Sequence, residues 1–101
     1  MDITKTHERL MQFLNNLQLA SGSPKPKPVF RRDLHHAIHN MPAKEFDQSL
    51  LVLIQKKYID YRIGSGPEWK AAGFKRRPLH CIMYMLTPAG RKFMTEKGYL
   101  V

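Results

Sequence analysis

Asn40-Met41-Pro42 is the break that most limits how this chain can fold. On its N-terminal side, Val29 to Asn40 carries Phe30, Leu34, Ala37 and Ile38 at helical spacing; on its C-terminal side, Ala43 to Lys57 carries Phe46, Leu50, Leu53 and Ile54. Apolar side chains that recur every three or four residues line one helix face, and that face is stable only against another apolar surface. Pro42 suits the start of the second helix, where its missing N–H costs nothing. So short a turn makes two neighbouring helices close on a shared core.

The flanking segments supply the rest of that core. Thr4 to Leu19 reads as a first helix, with Leu10, Leu14 and Leu17 in a stripe and Ile3, Phe13 and His7 near it; Thr4 or Thr6 is placed to cap it. Ala20-Ser21-Gly22-Ser23-Pro24 ends the helix, and residues 24–28, with Lys25-Pro26-Lys27-Pro28, form a stiff extended connector. After the third helix, Tyr58 to Ile63 alternates, placing Ile59, Tyr61 and Ile63 on one side, and Leu79 to Leu86 is a second β-rich run. Between them lies GSGPEWKAAGFKRRP, residues 64–78, longer than a hairpin in so small a domain needs. Thr87 caps a last helix with Pro88 at its first position; it runs to Lys97, and Gly98 stops it. The expected class is α+β, mostly helical with a small β-hairpin, as one domain over residues 1–101.

Size and charge narrow the possibilities further. With 101 residues, 43% of them apolar, the chain can bury one core but not two. No apolar run approaches the roughly 20 residues that span a bilayer. The start, MDITKTHERL, lacks the basic and then apolar pattern of a secretory signal, so a cytoplasmic location is expected. A lone cysteine, Cys81, forms no internal disulfide and reads as a small buried hydrophobe. Seventeen Lys and Arg against eight Asp and Glu give +9. Residues 51–101 hold ten of those bases and three of the acids, for +7. Charge gathered in one half of a small domain suits a polyanion, and nucleic acid is the commonest one in a cytoplasm.

Three stretches bear a family likeness. Phe30-Arg31-Arg32-Asp33-Leu34, then Leu50-Leu51-Val52-Leu53 running into Lys57-Tyr58-Ile59-Asp60, then Tyr84-Met85-Leu86-Thr87-Pro88-Ala89-Gly90-Arg91 resemble, in that order, successive parts of winged helix-turn-helix DNA-binding domains of bacterial and phage regulators. The last, of the form Y-x-L-T-x-x-G-R, is the most specific. The resemblance implies a small transcriptional regulator whose partner is duplex DNA. Helix 43–57 would enter the major groove and segment 64–78 would form a basic wing. On this reading Lys44, Gln48 and Leu51 meet base edges, while Arg31, Arg32, Lys70, Lys75, Arg76 and Arg77 meet the backbone. Trp69 is a candidate to stack on bases, whereas Phe74 is expected to fold back onto the hairpin. A homodimer through the terminal helices is expected, because Met11, Leu19, Phe93, Tyr99, Leu100 and Val101 exceed what one core needs.

The chain departs from that pattern on the third helix. Glu45 and Asp47 repel phosphates unless each pairs with a base or a neighbouring cation, and Leu51 and Val52 are apolar where charge is common. Two alternatives follow: a protein-binding adaptor that uses Leu51 and Val52, or an RNA-binding relative. His35, His36 and His39 lack the third ligand of a zinc site and read as helix-surface histidines, so no metal and no cofactor is expected. No phosphate loop, nucleophile motif or paired carboxylates point to an enzyme.

Overall fold

The computed structural model describes residues 3–19 and 27–99. Pro24, Lys25 and Pro26 of the expected connector lie outside them, as do Leu100 and Val101. The elements are α1 (Lys5–Leu19), β1 (Val29–Phe30), α2 (Arg31–Ala37), α3 (Ala43–Gln55), β2 (Ile59–Ile63), α4 (Gly66–Ala71), β3 (Ile82–Leu86) and α5 (Pro88–Glu96). The class is mixed α+β, with five helices and one three-stranded antiparallel sheet, in the order β1-β3-β2, among the described residues. No helix among the described residues is long and apolar enough to cross a membrane.

Three elements differ from expectation. Val29 and Phe30 leave the second helix and pair with Tyr84 and Met83, so the hairpin becomes a three-stranded sheet. Residues 66–71 of the expected wing form α4, opened by a capping box between Ser65 and Glu68. The second β-rich run also starts later, at Ile82, and leaves Leu79 exposed.

The sheet has two covered faces. On one, Val29, Ile59, Tyr84 and Leu86 meet Leu10, Met11 and Leu14 of α1, Leu34 of α2, Phe46, Leu50 and Leu53 of α3, and Met94 of α5. On the other, Phe30, Met83 and the adjacent Cys81 are buried beneath Trp69, Ala72 and Phe74. The buried face of α1 runs through His7, Leu10, Met11, Leu14 and Gln18, whereas Leu17 of the expected stripe is half-buried. Gln18 is there for a reason: β1 is too short to reach Leu86, and the Gln18 Oε1 accepts from the Leu86 N–H at 3.0 Å. Met11 is fully buried and Phe93 stacks on Tyr58 at 4.8 Å, so the monomer core absorbs two of the side chains assigned to a dimer contact.

The Thr87–Arg91 stretch is a fastening. Thr87 Oγ1 accepts from the Gly90 N–H at 3.0 Å and donates to the Lys57 carbonyl at 2.6 Å. Arg91 donates to Asn15 of α1 at 3.2 Å. Gly90 lies so close to the turn before β2 that an added Cβ would stand 2.1 Å from the Tyr58 carbonyl oxygen. Backbone cannot yield there as a flexible side chain would. Gly90→Ala is therefore expected to lower the unfolding free energy by about 3 kcal/mol in urea titration. A loss below about 1 kcal/mol is the ordinary range for a substitution without strain and rejects this account.

The start of α1 carries a pH-dependent version of the same economy. Thr4 Oγ1 accepts from the His7 N–H at 3.4 Å, while His7 Nδ1 accepts from the Thr4 N–H at 2.9 Å, so a histidine takes the place of Glu or Gln in a capping box. Burial holds the His7 imidazole below its ordinary value of 6.5. The unfolded chain thus binds the proton more readily, and stability falls as the pH drops below about 6.5. His7→Gln, which keeps an acceptor, is expected to flatten that fall in thermal melts between pH 7.5 and 5.

Candidate nucleic-acid interface

The α3 helix buries Phe46, Ser49, Leu50 and Leu53 and turns Lys44, Gln48 and Leu51 outward together. All three expected base-reading side chains are exposed, Leu51 to 55%. Asp47, on the flank of this face, is paired: Arg31 Nε and Nη2 both donate to its Oδ1, at 3.0 and 2.9 Å. The Arg31 guanidinium also stands 5.2 Å from the Phe46 ring centroid. This joins the start of α2 to α3 and offsets the Asp47 charge.

Arg32 faces the other way. Its Nη2 donates to the Ala72 carbonyl at 2.9 Å, its Nε donates to Asp33 at 3.1 Å, and its guanidinium lies 4.0 Å over the Phe74 ring. Phe74 in turn packs on Phe30, with centroids 5.4 Å apart. The expected inward fold of Phe74 is what the structure has. Trp69 is also half-buried against this cluster, with the Lys70 ammonium 5.6 Å from its ring. Its indole is thus part of the cover over the sheet.

Segment 64–81 therefore does not project beside α3 as a wing. It crosses the sheet face opposite the main helices and closes on α2. Glu68 anchors it, held by the Arg62 guanidinium and by the Ser65 N–H, which donates at 2.9 Å. Those donors push the Glu68 carboxyl down to about 2, so it stays ionised across ordinary pH. Lys75, Arg76 and Arg77 are exposed, and no ion pair joins them to an acid among the described residues.

Between α2 and residues 74–80 runs an open groove of about 600 Å³. Arg31, Arg32, His35, His36 and His39 form one wall, and Phe74, Pro78 and His80 the other. No acidic side chain among the described residues lines it. The sequence reading missed this groove, because it expected the cations beside α3; the one available signal was Phe74, an aromatic residue seeking cover. His35 is a packing residue, stacked on Phe46 at 4.6 Å and bonded through Nε2 to the Met41 carbonyl at 2.8 Å. Among the described residues no three His, Cys, Asp or Glu side chains are grouped to hold a metal ion. Comparison of the chain with protein-family models, with curated proteins and with solved structures finds no match.

The closure on α2 hangs on Arg32. Arg32→Ala removes a guanidinium–ring contact worth about 0.5–1 kcal/mol and a hydrogen bond worth about as much. The expected result is faster amide exchange over residues 72–77 with the α3 amides unchanged. Equal exchange rates in the variant and the parent would show that the segment is held elsewhere.

Proposed function

We propose that this chain is a winged helix-turn-helix DNA-binding protein, a small regulator that sets the outward face of α3 in the major groove of a duplex. The observation that carries the reading is the exposed row of Lys44, Gln48 and Leu51 on a helix next to a groove walled by arginines and histidines. The sequence of elements, α1-β1-α2-α3-β2-β3-α5 with a β1-β3-β2 sheet, supports it as well, α4 being an insertion between β2 and β3. Gln48 suits adenine and Lys44 suits guanine, and the Leu51 side chain suits a thymine methyl group.

The backbone contacts differ from those of a projecting wing. Lys75, Arg76 and Arg77 flank the α2 groove, so a phosphate strand would run along α2 and residues 74–80. Each phosphate neutralised releases counterions and makes affinity fall with salt. Arg31 and Arg32, already engaged within the chain, hold this surface in shape and keep part of their donors for phosphates.

Selection of bound sequences from random duplexes, followed by titrations across salt, tests the reading. Arg76→Ala with Arg77→Ala should weaken every duplex alike and reduce the logarithmic salt slope by roughly two. Gln48→Ala should leave that slope unchanged and cost about 1–3 kcal/mol of discrimination at one base pair. Absence of duplex binding even at low salt rejects the proposal in favour of an adaptor that presents Leu51 and Val52. Preference for structured RNA rejects it in favour of an RNA-binding role.

A further inference from the structure

The sheet order β1-β3-β2 leaves β2 on an edge. The Gly64 N–H donates to the Cys81 carbonyl and the Thr87 N–H to the Tyr58 carbonyl, at 2.6 and 3.1 Å. With the Ile59↔Leu86 to Ile63↔Ile82 register, residues 58, 60, 62 and 64 therefore exchange bonds with β3. The peptide groups of Ile59, Tyr61 and Ile63 point away from the sheet. Of these groups the Tyr61 N–H donates to the carboxylate of its neighbour Asp60 at 2.9 Å. The strand has neither a proline nor a bulge at this edge; its protection against pairing with another chain is its two charged side chains, Asp60 and Arg62, so the edge admits only a partner whose charges complement them.

The edge sequence is Ile59-Asp60-Tyr61-Arg62-Ile63, and its pattern reads the same in both directions. Laid antiparallel against a second copy about Tyr61, it sets Ile59 opposite Ile63, Tyr61 opposite Tyr61, and Asp60 opposite Arg62 twice. The outward peptide groups fall in the bonded positions of that register, so hydrogen-bond phase and charge agree on one alignment. Shifting it by two residues sets Arg62 opposite Arg62, or Asp60 opposite Asp60. Tyr61 and Ile63 are 53% and 55% exposed although they share a sheet face with the buried Ile59 and Tyr84. The Arg62–Glu68 contact leaves the Arg62 Nε–H free and holds the side chain in one place.

We infer that β2 pairs with β2 of a second copy of this chain, giving a continuous six-stranded sheet. The occupant of the edge is this chain itself because its charges complement themselves in that register. The interface is thus at the sheet edge and not at the terminal helices. The inference stands apart from the nucleic-acid reading, and its test contains no nucleic acid.

Sedimentation of the full chain should show a dimer forming in the micromolar range. Asp60→Arg sets two guanidinium groups against each other at both facing pairs, and Arg62→Asp sets two carboxylates together at both. Each variant alone should be a monomer, with dissociation constants raised at least about tenfold. An equimolar mixture of the two should form a heterodimer, since every facing pair is then opposite in charge. Amide exchange of the unsubstituted chain is the independent measurement: Ile59, Tyr61 and Ile63 should gain protection as concentration rises. A monomer at every concentration overturns the inference. So does a dimer that neither charge reversal disturbs, or edge amides whose exchange ignores concentration.

Discussion

Strand β3 carries apolar side chains on both of its faces, and most of the structure follows from covering them. Ile82, Tyr84 and Leu86 point to the helices, whereas Met83 points away with Phe30 of β1. A sheet of three short strands leaves the second face open to water unless some other part of the chain crosses it. Helices α1, α2, α3 and α5 are all committed to the first face. Residues 64–81 are the one described segment positioned to cover the second. Trp69, Ala72 and Phe74 do so, each removing apolar surface from water at about 25 cal/mol per Å². The same demand explains the α4 helix, which brings Trp69 over the sheet with its backbone groups satisfied, where an extended loop would leave them unpaired.

That cover redirects the charge of the chain. A basic segment folded over the sheet lands beside α2, where Arg32 binds both the Phe74 ring and the Ala72 carbonyl. Arg31 is drawn the other way, into Asp47 and Phe46. Two cations adjacent in sequence thus join α2 to two different neighbours. Pairs this exposed contribute little to stability individually, and their larger effect is to fix the angle of α2 against α3 and the segment. A surface held in this way can present cations without first ordering them, which lowers the entropy cost of binding a charged partner.

The regular elements were legible because each has a local cause. The stripe Phe46, Leu50, Leu53 predicts α3 within two residues of its end, and Thr87-Pro88 with Gly98 marks both ends of α5. Gly98 has φ of +84°, the left-handed conformation of a helix stop, and the Tyr99 N–H closes that turn on the Met94 carbonyl at 3.0 Å. What escaped the sequence depends on distant partners. Val29-Phe30 is too short for a period of any kind and is a strand only because β3 lies beside it. α4 follows a capping box whose Glu68 is also engaged by Arg62 on the neighbouring strand. The outward row on α3 was readable from helical phase alone, but the position of the basic segment was not, since composition says nothing of which sheet face needs cover.

The two-chain sheet and the α3 surface impose conditions on one another. Residues facing each other across an antiparallel pair share a sheet face, so both α3 helices would lie on the same side of the joined sheet, related by a two-fold axis through Tyr61. The cover segments, one from each chain, would lie together on the opposite side. Such a dimer would therefore turn the outward faces of both α3 helices in one direction and leave the second face of the sheet already closed. Arg62 links the two demands: Glu68 draws it to the cover segment of its own chain, and Asp60 of a second copy would meet it across the edge. A side chain already held by its own carboxylate loses less freedom on meeting the second. The contact that fastens the cover thereby also prepares the edge for pairing.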